Sequence, residues 1–221
     1  MSVRHADKSD ITAIIDILTQ AFWDEDAVGR FMHPHRDRYP DDVKKYWRGV
    51  LRENWWKKGY SALVVVDDQE IVVAFAGWAF VDETPPPLLQ SISQSLLTLY
   101  LKTHSHLSTL TSPNRAANPK NLSATSRALP FYIDKLPTAP RFDLETLAVH
   151  PSHQGQGYGS LLVQWGVDRA TGEGVPATVI CADGTEGFYE TWFGRGVGRI
   201  TEGVGNPLGG VRGGEILVRD M

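Results

Sequence analysis

The chain has 221 residues, of which 42% are hydrophobic, and its 22 basic and 26 acidic residues give a formal net charge of −4. These values exclude a disordered or collagen-like chain, and no basic run suggests a nucleic-acid-binding arm or a polybasic membrane anchor. The one cysteine, Cys181, excludes an intramolecular disulfide and a thiolate-rich metal site. The longest apolar stretch, residues 71–80, is too short to cross a bilayer. We therefore expect a cytoplasmic protein with no secretory signal and no nucleic-acid or membrane partner.

The first third of the chain predicts two amphipathic helices and a hairpin. A short strand at residues 2–6 precedes a helix whose apolar side chains recur at helical spacing from Ile11 to Phe22. A second helix is expected to begin after Asp41 or Asp42 and to end before Gly59. Residues 61–66 and 71–80 are rich in β-branched side chains and predict two antiparallel strands.

Residues 83–140 predict an insertion rather than a continuation of the sheet. Eight of the 13 prolines lie between Pro85 and Pro140, and proline removes a ladder hydrogen bond. Apolar residues at helical spacing predict a helix over residues 88–107. The polar residues 108–126 predict a mobile loop, whose deletion between residues 109 and 121 we expect the fold to tolerate.

The last third predicts alternating strands and helices. We expect a strand at residues 142–149, a helix from about residue 157 to 170, a strand at 177–181 and a helix at 185–193. One or two final strands follow, the last of which ends near residue 218. With the hairpin, this order predicts a mixed α/β sheet.

A glycine-rich turn between a strand and a helix is the segment most suggestive of chemistry. Gly155, Gly157 and Gly159 let the backbone approach an anion, and the helix's first N–H groups favour a phosphate there. The alternative is a tight connection that binds nothing. A Rossmann fingerprint fails because Ser160 stands where its third glycine belongs, and no Gly-Lys-Ser/Thr follows as in a P-loop.

The run Gln154-Gly155-Gln156-Gly157-Tyr158-Gly159 matches every fixed position of R/Q-x-x-G-x-G/A. On this motif and the element order around it, the chain resembles the GNAT superfamily of acyl-CoA-dependent N-acetyltransferases. The resemblance implies a GNAT-type α/β fold, with a mixed, mostly antiparallel sheet flanked by helices. It also implies one domain over residues 1–221, with a partly helical insertion at about 83–140 between the third and fourth strands.

The resemblance further implies acetyl-CoA as co-substrate, with no metal. Its pyrophosphate would lie on the glycine turn and its pantetheine along the preceding strand, where a backbone N–H could stabilise an oxyanion. The residues so assigned are Leu147, Ala148, Val149, Gln154, Gly155, Gln156, Gly157, Tyr158, Gly159 and Ser160.

Three side chains are candidates for proton transfer. Asp143 and Glu145 share one strand face by alternation, and we favour Glu145 as the base because it lies closer to the expected thioester. Their alternative role is that of two solvated carboxylates on a strand edge. Tyr189 matches the position that often protonates the departing CoA thiolate in this family; its alternative role is packing. His33, His35, His104 and His106 lack metal-ligand partners at suitable spacing, and we expect them on the surface.

These observations predict an acyltransferase that moves an acetyl or other short acyl group to a primary amine by direct attack in a ternary complex. The acceptor would be a small molecule or a peptide, and the insertion helix would pack over the side on which the acceptor binds. The apolar face of that helix could instead be buried against a second subunit in a homodimer. A non-catalytic CoA-binding sensor or scaffold is the second hypothesis, and a nucleotide-dependent oxidoreductase is the third.

Overall fold

A seven-stranded sheet organises the protein. In a computed structural model that describes residues 2–82, 112–194 and 196–220, the strand order is β1-β2-β3-β4-β5-β7-β6. All neighbouring strands are antiparallel except β4 and β5, so the predicted mixed, mostly antiparallel sheet is confirmed. The strands are β1 (Ser2–His5), β2 (Tyr60–Val66), β3 (Val72–Val81), β4 (Arg141–Val149), β5 (Ala177–Cys181), β6 (Gly196–Arg199) and β7 (Glu215–Arg219).

Helices cover both faces of this sheet. In the described residues they are α1 (Ile11–Ala21), α2 (Pro40–Asn54), the short α3 (Pro119–Leu122) and α4 (Ala124–Ala128), then α5 (Tyr158–Glu173) and α6 (Glu186–Phe193). A π-helical segment (Asp26–Met32) joins α1 to α2, in a stretch that the sequence pattern left irregular.

The central strands are buried on both faces, which explains their continuous apolar sequences. On β2, Leu63 and Val65 pack with α5 and α6, while the intervening Val64 packs with α1 and α2. All three side chains are fully buried. This alternation, with period 2, divides the interior into two cores separated by the sheet.

The described part of the predicted mobile loop is packed against the body, so that prediction is wrong for residues 112–126. Arg115 donates from its backbone N and from Nε to Oδ2 of Asp42, at 2.9 and 2.8 Å, and the Asp42 side chain has no accessible surface. Ala116 is fully buried in the core formed by α1 and α2. Deleting residues 109–121 would therefore remove the arginine partner of a buried carboxylate. The predicted helix at 88–107 lies outside the described residues.

His33 also departs from expectation, because it is fully buried rather than on the surface. Its Nδ1 lies 2.7 Å from the carbonyl oxygen of Val28, and its Nε2 lies 3.2 Å from Nδ2 of Asn114. Burial lowers the pKa of the ring, so His33 is neutral near pH 7. It ties the π-helical segment to the insertion. His35 is exposed as expected, and His104 and His106 lie outside the described residues.

Gly166 on α5 gives a stability prediction. A Cβ there would overlap the indole of Trp78, which is fully buried and donates from Nε1 to the Leu162 carbonyl at 3.1 Å. We expect Gly166→Ala to lower the free energy of unfolding by about 1–3 kcal/mol, because overpacking outweighs the better helix propensity of alanine.

Gly172, near the end of the same helix, supplies the control. A Cβ there meets nothing within 4 Å, so Gly172→Ala should raise stability by up to about 1 kcal/mol. Urea denaturation measures both variants, and two stabilised variants would contradict the packing of Gly166 on Trp78.

Candidate active site

A cleft opens where β4 and β5 separate. Their parallel pairing runs from Phe142 opposite Ala177 to Leu144 opposite Val179 and does not continue beyond that pair. The cleft that follows has a volume of about 570 Å³. Its walls include residues 145–149 of β4, the end of β5, the π-helical segment and the loop between β6 and β7. In the part of the chain that the structure describes, β4 has no strand partner beyond Leu144 on the side away from β3, so main-chain groups there can bind an extended ligand.

The predicted glycine turn lies at one end of this cleft, where Gln154 contributes to the wall. Gly155 and Gly157 have φ values of 75° and 84°, and a Cβ at either position would meet nothing within 4 Å. The backbone conformation, rather than crowding, is therefore what favours glycine here. Gln154 donates from Nε2 to the Val149 carbonyl at 3.2 Å, which anchors the turn to the end of β4.

The turn leads directly into the N-terminus of α5. The first-turn N–H groups of Tyr158, Gly159 and Ser160 have no carbonyl one turn earlier in the helix to accept them. Together with the positive end of the helix dipole, they suit a phosphate or pyrophosphate group. Of the residues that the sequence predicts to bind CoA, Leu147, Ala148, Val149 and Gln154 line the cleft. The others, residues 155–160, follow directly in the turn and the start of α5.

Glu145 is displaced from the regular ladder by a β-bulge. Gly77 pairs with Thr146 and Trp78 pairs with Leu144, which leaves Glu145 without a partner on β3. Its side chain is 34% exposed and lines the cleft. Burial raises the pKa of this carboxyl, the Lys57 ammonium at 3.9 Å lowers it, and Asp143 raises it. A carboxylate with a raised pKa suits proton transfer near neutral pH.

Asp143 lies two residues earlier and is held by other side chains. Arg141 donates from Nε to both of its carboxylate oxygens, at 2.9 and 3.1 Å, and the Thr178 hydroxyl donates to Oδ1. Arg141 is itself buried and also donates to the Pro137 carbonyl at 2.9 Å. Through these contacts the Asp143 carboxylate links β4 to β5 and to the insertion. Of the two carboxylates, Glu145 is the one that lines the cleft.

Tyr189 reaches the cleft from α6, although it is mostly buried. Its ring centroid lies 4.9 Å from that of Phe188 and 6.2 Å from that of Phe193, so it also packs. Burial raises the pKa of its hydroxyl, with a further contribution from Cys181, and the phenol keeps its proton at neutral pH. The raised pKa makes the phenol a weaker acid, so it is the position of Tyr189 in the cleft wall that makes it a candidate proton donor. Cys181 is buried, and burial raises its pKa to about 12.

Sequence patterns did not reveal the residues around Glu145. Asn54, at the end of α2, donates from Nδ2 to Oε2 of Glu145 at 3.3 Å, and Lys57 follows in the next turn. Glycine within the apolar pattern of β3 is the one signal, since Gly77 predicts a bulge or a close approach to a ligand. The bulge is present, and the group next to Gly77 is the Tyr60 hydroxyl of the protein itself.

An arginine bridges two walls of the cleft. Arg212, on the loop before β7, lies 2.9 Å from a carboxylate oxygen of Asp26 and 3.2 Å from one of Asp183. In the described residues, no three His, Cys, Asp or Glu side chains are grouped so as to hold a metal ion. Among those same residues, no helix combines the length and apolar character that crossing a membrane requires.

Comparisons with known proteins agree with this geometry. Residues 120–194 match the sequence profile described as the acetyltransferase (GNAT) family. No curated protein sequence matches the chain.

Several solved structures share its fold. One, titled as histone acetyltransferase HPA2 and related acetyltransferase from Corynebacterium glutamicum, has a TM-score of 0.65 at 17% identity, with 99% of this chain and 95% of that chain covered. A GCN5-related N-acetyltransferase from Kribbella flavida has a TM-score of 0.52 at 15% identity, with 100% and 97% covered. A putative phosphinothricin N-acetyltransferase has a TM-score of 0.50 at 14% identity, with 99% and 97% covered.

Proposed function

We propose that this chain, which has the GNAT fold and whose residues 120–194 belong to the GNAT acetyltransferase family, transfers an acetyl or other short acyl group from acyl-CoA to a primary amine. The observation that carries the proposal is one cleft with an anion-binding turn at its end and the carboxylate of Glu145 in its wall. We also propose that residues 1–221 form one domain, with the insertion as part of it.

The backbone of the turn and of β4 would hold the co-substrate, which supplies the activated acyl group. Residues 154–160 suit its pyrophosphate, because they combine left-handed glycines with free helix N–H groups. Main-chain groups at residues 145–148 that have no partner on β5 suit the two amides of pantetheine. A backbone N–H near Leu147 or Ala148 would then stabilise the oxyanion that develops on the carbonyl.

Two side chains would carry the proton transfers. Glu145 takes a proton from the acceptor's ammonium group, directly or through a water molecule, and the neutral amine then attacks the thioester carbonyl to form the C–N bond. As the C–S bond breaks, Tyr189 gives its proton to the sulfur, the nitrogen loses its second proton to solvent, and Tyr189 recovers a proton from solvent. No covalent bond to the protein is needed, so both substrates must be bound together.

An acetyl-transfer assay tests the proposal against a CoA-binding sensor or scaffold. The protein is incubated with acetyl-CoA and a panel of a diamine, a polyamine, free amino acids and a peptide with a free N-terminus and lysine. We expect thiol release that depends on at least one amine and exceeds the amine-free rate. CoA binding without amine-dependent release from any acceptor would support the sensor or scaffold instead.

A further inference from the structure

The end of α2 meets the bulge of β4 at the proposed base. Asn54 is the last residue of α2, and it is only 8% exposed. Its side-chain amide donates from Nδ2 to Oε2 of Glu145 at 3.3 Å across 91 positions of sequence. Glu145 lacks a ladder partner at the bulge, so no residue of β3 lies directly opposite it. The buried Asn54 amide contacts its carboxylate and can restrict where that carboxylate points.

Tyr60 supports the same amide from β2. Its side chain crosses over β3 where Gly77 leaves room, and a Cβ on that glycine would overlap the hydroxyl oxygen. The Asn54 side chain interacts with this hydroxyl as well as with Glu145. Burial raises the pKa of Tyr60, and the nearby Glu145 raises it further, so Tyr60 stays neutral. The cluster thus links α2, β2 and the bulge of β4.

We propose that Asn54 is a positioning residue for Glu145: its amide directs the carboxylate towards the cleft, and Tyr60 holds the amide in place. The kinetic part of this inference rests on the proposed function, whereas the contact itself does not. Asn54 also favours the ionised carboxylate, because a hydrogen bond donated to the charged form stabilises that form. The described charged and titratable groups that face Glu145 are Lys57 at 3.9 Å, Asp143 on the same strand and Tyr60.

Replacing Asn54 by leucine, which has a similar shape, removes the donor. We expect the pKa of Glu145 to rise and the acid limb of the pH–rate profile to move to higher pH. We also expect kcat to fall on the order of 10-fold to 100-fold with little change in KM for acetyl-CoA, because a misplaced base impairs the chemical step. Asn54→Gln keeps a donor and should recover part of the loss.

A double-mutant cycle separates positioning from a general structural effect. In a Glu145→Gln background, Asn54→Leu should lower kcat little further, because the group that it positions no longer acts as a base. Gly77→Ala provides an independent route, since its Cβ must displace Tyr60. It should move the acid limb in the same direction. Gly49→Ala on α2, where a Cβ meets nothing within 4 Å, is the control and should leave the profile unchanged.

The pKa of Glu145 is measured by carboxyl carbon NMR on the resting protein, without substrates. An unchanged pKa in Asn54→Leu would overturn the inference, and so would additive losses in the double-mutant cycle. If the wild-type protein acetylates no amine, the proposed function fails, while the NMR result still decides whether Asn54 holds Glu145. If Asn54→Leu does not fold, Gly77→Ala decides by the same measurement.

Discussion

Glu145→Gln should lower kcat/KM for the amine by roughly 10²–10⁴-fold, the range typical of a lost general base. The amide has the shape of the carboxylate but cannot accept the proton. Because Glu145 lies away from the glycine turn, the CoA-dependent rise in melting temperature should persist. Acetyl transfer followed by thiol release measures the first effect, and thermal unfolding with and without CoA measures the second.

The dependence of kcat/KM on pH has a definite direction. Burial raises the pKa of Glu145, and only its ionised form accepts a proton, so kcat/KM should fall as the pH decreases through this raised pKa. In Glu145→Gln, this acid limb should disappear. If the acid limb persists in Glu145→Gln, a group other than Glu145 is responsible for it.

Asp143→Asn is the matched control, since it makes the same chemical change two residues away on the same strand. Asp143 accepts from Arg141 and Thr178, so its substitution should mainly lower the free energy of unfolding. If Asp143→Asn removes the acid limb and Glu145→Gln does not, the two carboxylates exchange roles. If neither removes it, the amine loses its proton to solvent.

The second large effect is expected for Gly157→Glu, which should abolish CoA binding. The substitution places a negative charge and a side chain at the N-terminus of α5, where the pyrophosphate is expected. The φ of 84° at this position also opposes any residue with a Cβ, by roughly 1–2 kcal/mol. We expect no rise in melting temperature with CoA, measured by thermal unfolding over a CoA titration.

Two variants separate charge from strain in this experiment. Gly157→Ala carries the same backbone strain without the charge, and it should still bind CoA, though more weakly. Gly172→Glu adds the same charge near the other end of α5, where a Cβ meets nothing within 4 Å, and it should bind CoA as the wild type does. Unchanged CoA affinity in Gly157→Glu would remove the glycine turn from the binding site.

Elements with a strong local pattern were predicted well. The strand expected at residues 177–181 is Ala177–Cys181, and the helix expected at 185–193 is Glu186–Phe193. The hairpin was also correct to within one residue at each end. Hydrophobic periodicity and flanking glycines are properties of neighbouring residues, which is why they are visible without the fold. The glycine turn was predicted for the same reason, because the residues with left-handed backbone conformation, Gly155 and Gly157, are themselves glycines in the sequence.

Contacts between distant segments explain what the patterns missed. Alternation put Asp143 and Glu145 on one face, but a bulge is a difference in register between two strands, and period 2 cannot show it. Asp42 and Arg115 are 73 positions apart, so the polar composition around Arg115 predicted a mobile loop where the fold pairs an exposed arginine with a buried carboxylate. Local sequence was thus sufficient for most of the strands and for the glycine turn. The orientation of Glu145, its contact with Asn54 and the packing of residues 112–126 arise from groups that meet only when the chain has folded.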